Sequence, residues 1–285
     1  MEIKIRKATA DDAETCGTIC YEAFKAIANQ HNFPPDLPSA EIAIGLISKL
    51  LAHPGFYGAV AEIDGQIAGS NFLDERCVIA GVGPITINPA LQNRGVGRAL
   101  MLDCMERVAK RQFPGVRLIQ SAYHSRSLSL YTKLGFVTRE PLATMQGPPV
   151  GVQISGYSVR SAVEADLHGC NAVCLKVHGH DRTGELLDAI KDGTAAVVEH
   201  DGRITGYAIV VGFFGHAVAE TNEDLKDLIG AATAFPGPGF LLPTRNWELF
   251  RWCLEHGLRV VQPMTLMSVG LYNEPAGTFL PSILY

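Results

Sequence analysis

The stretch that most constrains this chain is residues 81–111, GVGPITINPALQNRGVGRALMLDCMERVAKR. Residues 82–87 alternate in β-prone types around Gly83 and Pro84. They predict a strand with a local irregularity, because proline cannot donate to a ladder and marks an edge or a bulge. Asn88-Pro89 ends that strand. A helix is predicted from Gly95, with Leu100, Cys104 and Val108 recurring on one face. Gly95 and Gly97 let a ligand approach the backbone, because no Cβ stands in the way. The first N–H groups of a helix lack internal partners, and the helix dipole makes that end attractive to anions. Arg94 and Arg98 would each be unfavourable there by roughly 0.3–1 kcal/mol. They make sense with an anion between them, and the group inferred is a pyrophosphate.

A dinucleotide-binding turn would place glycine where Leu100 stands, and a P-loop would close on Gly-Lys-Ser/Thr, which is absent. Gln92-Asn93-Arg94-Gly95-Val96-Gly97 instead resembles the Q/R-x-x-G-x-G/A motif of the GNAT superfamily of N-acetyltransferases, which binds the pyrophosphate of acetyl-coenzyme A. A tight turn without a ligand is the alternative. Residues 128–136, LSLYTKLGF, resemble that family's second motif, a helix carrying a tyrosine before Lys-Leu-Gly-Phe. By resemblance Tyr131 protonates the departing coenzyme A thiolate, a role a phenol can take when held within hydrogen-bond reach. A helix tyrosine that merely packs its ring is the alternative. Seven residues earlier the family often has asparagine, where this chain has His124. His124 is read as a hydrogen-bonding substitute or a general base near neutral pH. The resemblance further implies that backbone groups of Thr86 and Ile87 meet the pantetheine amides. Gln92, Asn93, Arg94, Gly95, Val96, Gly97 and Arg98 would hold the pyrophosphate, and Ser121 and Ser127 would face the coenzyme.

With 285 residues, 47% of them hydrophobic and 19% charged, the chain can build one large or two modest cores. Its 24 basic and 29 acidic residues are well mixed, and no basic tract argues for nucleic acid. The start, MEIKIRKATADD, is unlike a signal peptide, and the apolar runs are too short for a membrane span. A soluble, cytoplasmic protein without a membrane partner is expected. The seven cysteines include no C-x-x-C pair. Cys16, Cys20, Cys170 and Cys174 are read as buried thiols on helices. The run His178-Gly179-His180-Asp181 is read as a polar loop, and no metal is expected.

Taken in order, residues 3–9 predict a strand, and Asp11-Asp12 with Glu14 a capped helix to about Asn29. The proline-rich run HNFPPDLPS is a loop before a helix over 40–51. Residues 56–63 and 66–73 form a hairpin about Asp64-Gly65. A strand over 116–122 and a helix over 126–133 ending at Gly135 follow the central unit. Residues 141–151 have the composition of a linker.

Then the chain repeats itself. Residues 157–174 parallel 4–20, with Arg160 matching Arg6; 195–210 parallel 57–72, with a second Asp-Gly turn; 239–261 parallel 116–138, with Asn246 matching His124. Two related domains are expected, 1–145 and 157–285, joined by 146–156. The fold class is α/β: two tandem GNAT-like domains, each a mixed, mostly antiparallel sheet flanked by helices. In the second copy the counterpart of the central stretch lacks the glycine and arginine pairs and carries Glu220, Glu223, Asp224 and Asp227. A negative helix start repels pyrophosphate, so this copy is expected to act as a wall or lid for the acceptor site.

The expected activity is transfer of an acetyl group from acetyl-CoA to an amine acceptor by direct attack. The alternatives are a non-catalytic acyl-CoA sensor and a transferase using another acyl-CoA. The base that frees the amine is left among Asp74, Glu75, Tyr123, His124, a water and the terminal carboxylate of Tyr285. That last candidate comes from the uncharged tail, residues 279–285, which is expected to dock. The oligomeric state is left as monomer or homodimer.

Overall fold

Both Asp-Gly pairs turn as expected. Asp64 and Gly65 have φ of 51° and 79°, and Asp201 and Gly202 have 51° and 72°, the left-handed pair of a tight hairpin. The computed structural model describes residues 2–284. In the first half the chain forms β1 (Ile3–Lys7), α1 (Ala13–Gln30), α2 (Ala40–Ala52), β2 (Phe56–Ile63), β3 (Gln66–Asp74), β4 (Ala80–Val82), β5 (Thr86–Ile87), α3 (Val96–Lys110), β6 (Gly115–Ser121), α4 (Ser125–Lys133) and β7 (Val137–Gln146). In the second it forms β8 (Tyr157–Ser161), α5 (Leu167–His178), α6 (Thr183–Lys191), β9 (Ala196–His200), β10 (Arg203–Ala208), β11 (Ala217–Ala219), α7 (Asn222–Ala231), β12 (Phe240–Pro243), α8 (Trp247–Glu255), β13 (Arg259–Gly270) and β14 (Thr278–Leu280).

Among the described residues the strands form two mostly antiparallel sheets. The larger runs β1-β2-β3-β4-β6-β13-β7-β12, with β5 paired to β3, and the smaller runs β14-β11-β10-β9-β8. The larger sheet contains an exchange. By the internal repeat β6, α4 and β7 correspond to β12, α8 and β13. Yet β7 does not lie beside β6. The second half's β13 lies there, with Met264 opposite Ser121 and Gly270 opposite Gly115. β7 pairs on one side with β13 and on the other with β12, where Met145 faces Phe240 and Leu142 faces Pro243. Each half thus lends a strand, β7 or β13, to the other.

This exchange overturns the reading of residues 141–151 as a linker from their start. Leu142, Ala143, Thr144 and Met145 are buried between two strands, and the irregular connection begins only after Gln146. Pro141 needs no ladder partner for a missing N–H, and its carbonyl accepts from Thr244 N at 2.9 Å.

Period-two alternation places helices on both faces. Ala59, Ala61 and Leu73 pack under α3, while Val60 and Phe72 pack under α1 and α2 with Cys16, Cys20 and Ile47. The two helices approach closely at Gly17, where a Cβ would sit 2.4 Å from Ile44 Cα. In the second half Val197 faces α5 and α6, and Val198 faces α7 and α8.

The repeat survives in side-chain detail. Arg6 donates to both oxygens of Asp12 at 2.8 Å and to Glu62 at 2.6 Å. Arg160 does the same to Asp166 at 2.7 and 2.8 Å and to Glu199 at 3.1 Å. Asp12 also accepts from Thr9 N at 2.7 Å, so the first helix is capped across Thr9 and Asp12, not across Asp11 and Glu14. The position Asp12 takes also lets it face Arg6, which the exposed Asp11 does not.

The tail docks. β14 pairs with β11, Ile283 N donates to Phe213 O at 2.8 Å, and Leu284 packs with the core under α1 and α2. Tyr285, and with it the carboxylate weighed above, lies outside the described residues. Among the described residues no helix is long and apolar enough to cross a membrane.

Candidate active site

After Val82 the chain leaves β6. β4 pairs in parallel with β6 only at Ala80 and Gly81, and β5 then pairs with β3 alone, through Thr86 to Ser70 and Ile87 to Gly69. A wedge opens between β5 and β6. The irregularity expected at Gly83 and Pro84 is this departure, which splits the expected strand in two.

The wedge runs into a cavity of about 370 Å³. At one end lies the turn before α3. Asn93 and Gly95 both take left-handed φ, 63° and 87°, and Gly95 is the residue from which α3 starts. A Cβ on Gly95 would meet only Ile3, at 3.8 Å, so backbone conformation, not crowding, calls for glycine there. The first residues of α3 border the cavity. Gln92, Asn93, Gly95, Val96, Gly97 and Arg98 line it, as do Thr86, Ile87, His124, Ser127 and Tyr131. Arg94 is exposed on the outside of the turn and is not among the lining residues, so the expected arginine pair is divided. A basic residue the sequence reading missed takes a place at this end. Arg126, in the first turn of α4, donates to Gln92 Oε1 at 3.0 Å and to Asn93 Oδ1 at 3.4 Å. A cation at a helix start was the same signal already read at Arg98.

Tyr131 is buried, its ring 6.1 Å from that of Phe136. Burial pushes its phenol above the ordinary range, so the proton stays on the oxygen until a stronger base takes it. His124 stands at the start of α4. Burial, then Arg126 and His31, push it down to about 4, so it is neutral at pH 7. Ser127 Oγ lies 2.9 Å from the His124 carbonyl and 3.2 Å from Gln120 Oε1.

Three candidate bases fall away. Asp74 is bound by Arg76 at 2.6 Å, Glu75 by Arg107 at 2.5 Å, and Tyr123 stacks on Phe33 at 4.3 Å; none lines the cavity. The apolar end instead holds Asp36, in the loop the sequence reading passed over. A single acid among prolines carries no pattern that would mark it.

At the corresponding end of the second half the carboxylates are taken up by the chain itself, beside a separate cavity lined by Glu220, Thr221, Asn222 and Asn246. Asp224 accepts from Thr221 N at 2.9 Å and from Thr205 Oγ1, capping α7 internally. Asp227 accepts from Ile154 N at 2.7 Å, and Glu220 is held by Arg203 at 2.7 Å. Asn246, the counterpart of His124, caps α8 through Leu249 N at 3.3 Å.

The run 178–181 is not a polar loop. His178 ends α5 and is buried beside His216 and Phe279, and His180 is buried with its Nε2 3.4 Å from Arg117 of β6. The polar appearance of the sequence hid a packed junction.

Residues 54–138, from β2 through α4, match the acetyltransferase (GNAT) domain family. The chain carries a GNAT domain. Over 63 residues, 22% of this chain, it is 38% identical to mycothiol acetyltransferase of Nocardia farcinica. That match spans about a fifth (21%) of the relative's length. Three solved structures share the two-unit fold. A protein of Pyrococcus horikoshii assigned to the acetyltransferases superposes with a TM-score of 0.74 at 19% identity, over 97% of this chain and 94% of that one. A GCN5-related N-acetyltransferase from Sphaerobacter thermophilus gives 0.61 at 16%, over 97% and 98%. A tandem GNAT protein from the clavulanic acid biosynthesis pathway gives 0.55 at 16%, over 99% and 100%. The GNAT domain here thus sits in a tandem arrangement, with the wedge and the turn before α3 inside the matched segment.

Proposed function

We propose that the chain is an N-acetyltransferase that moves an acetyl group from acetyl-CoA to an amine. The observation that carries this reading is one cavity joining the turn before α3, the open edge of β5 and the phenol of Tyr131. Acetyl-CoA supplies a thioester already activated toward amines. The chain's own residues would act as follows. The N–H groups at the start of α3, with Arg98 and Arg126, hold the pyrophosphate. The edge of β5 turned away from β3, at Thr86 and Ile87, offers strand hydrogen bonds to the pantetheine amides. Tyr131, kept protonated by burial, gives its proton to the sulfur as it leaves.

The lining also bears on the acyl group. Among the described lining residues the arginines are Arg98 and Arg126, both at the phosphate end. A succinyl donor would bury a second carboxylate without a partner, so acetyl or another uncharged acyl group fits better.

Free-thiol release from acetyl-CoA, measured against a broad panel of amines, tests the reading. Amine-dependent release in the wild type, lost in Gly97→Glu and reduced in Tyr131→Phe, is expected. Acetyl-CoA binding without release for any amine would point to a sensor, and no binding at all would overturn the assignment of the turn.

A further inference from the structure

The apolar end of the cavity is built by both halves. Phe24 of α1 and Leu46 of α2 line it from one side, and Phe213, Phe214 and Met264 from the other. Asp36 lines the same cavity. Its Oδ1 accepts from Gln262 Nε2 at 2.6 Å. Gln262 is buried on β13, the exchanged strand, and its Oε1 is taken by the Tyr123 hydroxyl at 3.1 Å. The amide is therefore fixed in orientation and presents its NH₂ to Asp36. Asp36 Oδ2 has no hydrogen-bond donor among the described residues.

A carboxylate among apolar side chains, with a single neutral donor, lacks the counter-charge that normally accompanies such burial. The arginines among the described lining residues are Arg98 and Arg126; Arg126 is bonded to Gln92 and Asn93, and neither is paired with Asp36. A cationic ligand would supply the counter-charge.

We propose that Asp36 receives the ammonium group of the acceptor, and that the acceptor is a primary amine on an apolar body with no carboxylate of its own. This deepens the reading of the chain as an N-acetyltransferase and rests on it. The body would lie against the aromatic and aliphatic wall of Phe24, Leu46, Phe213, Phe214 and Met264. An amino acid would bring a second carboxylate toward Asp36, to which no arginine or lysine is bonded. The ammonium gives one proton to Asp36, which becomes a neutral acid and later releases it to water. The nitrogen lone pair then attacks the thioester carbonyl as the C–S bond breaks. Tyr131 gives its proton to the sulfur, and the second nitrogen proton goes to water, from which Tyr131 is reprotonated. Gln262 is a positioning residue, supplied by the half that has no phosphate-binding turn.

The test is steady-state thiol release with 2-phenylethylamine, octylamine and phenylalanine, for the wild type, Asp36→Asn and Gln262→Ala, with acetyl-CoA affinity measured by calorimetry for each. Wild type should use both amines and favour 2-phenylethylamine over phenylalanine by about 100-fold or more in kcat/KM. Asp36→Asn should lose about 100-fold or more in kcat/KM toward the amines at unchanged acetyl-CoA affinity. Gln262→Ala should raise KM for the amine more than it lowers kcat. Phenylalanine used as well as 2-phenylethylamine by the wild type overturns the substrate class whatever becomes of the variants. Amine turnover in Asp36→Asn equal to wild type overturns the role of Asp36 and leaves the acetyltransferase reading standing. Failure of the wild type to bind acetyl-CoA overturns both.

Discussion

The phenol of Tyr123 donates to Oε1 of Gln262 over 3.1 Å, tying the end of β6 to a residue 139 positions away on the strand that the second half inserts beside it. The first half does not complete its own sheet. A fragment of residues 1–156 would expose the inner edges of β6 and β7 at once, each a template for association. It should aggregate or unfold without cooperativity. Co-expression with residues 157–285 should restore a single cooperative transition, as followed by circular dichroism. A soluble, cooperatively folding 1–156 fragment would contradict the prediction.

The two glycines of the turn before α3 should respond differently. Gly95 has φ of 87°, so Gly95→Ala should lower stability by about 1–2 kcal/mol, the cost of a left-handed backbone with a Cβ. At Gly97 a Cβ would meet nothing nearer than Leu130 at 3.6 Å, so Gly97→Ala should fold at wild-type stability or slightly above. Gly97→Glu should fold yet lose acetyl-CoA binding, because a carboxylate then stands where the phosphates approach. Thermal unfolding and calorimetric titration separate these effects.

Tyr131→Phe keeps the ring packing against Phe136 and removes only the hydroxyl. Acetyl-CoA affinity should hold while kcat falls by about 100-fold or more. A fall in affinity with unchanged kcat would place the hydroxyl in binding instead of proton transfer.

His124 is pushed down to about 4 by burial and by its neighbours Arg126 and His31. It is therefore already neutral above pH 5, and kcat/KM should show no inflection near 6.5 from this group. His124→Asn, which restores the residue type the second half keeps at Asn246, should leave the shape of the pH–rate profile between pH 5 and 8 unaltered. Loss of an inflection in that variant would make His124 the base.

Stability should fall on mild acidification. His178 and His216 are held well below their usual pKa by burial first and then by nearby positive charge, and His180 is pushed down to about 4. Below about pH 6.5 the unfolded chain binds protons that the folded chain refuses. The stability these neutral rings contribute is therefore whole above that pH and lost as pH falls toward their folded values. At pH 5 His180 alone should cost roughly 2 kcal/mol. Urea unfolding at pH 7.5 and 5 measures the difference, and His180→Gln should shrink it.

What the sequence made legible was what lies contiguous in it. The turn 92–97 keeps the groups proposed to hold phosphate on six consecutive residues, and the Asp-Gly hairpins write their own φ angles. The arginine–aspartate pairs of the two halves could be matched because each spans only a few positions. Long-range placement was not legible. Residues 141–146 of β7 read as linker, and even for a strand alternation says which face is buried and not which neighbour is adjacent. Asp36 gained meaning only when the fold brought Gln262 and an apolar wall around it. His178 and His180 looked like solvated loop because Arg117, their neighbour, sits on a strand of the other half.

The exchange of β7 and β13 sets different terms for the two halves of this molecule. The second half is free to fill its helix start with carboxylates, since no phosphate need come there. It is not free to leave. Its strand β13 is a stave in the first half's sheet, and Gln262 on that strand steadies the wall of the cavity. A gene built this way can let one site decay while the fold around it stays under full constraint, and neither half can be inherited alone.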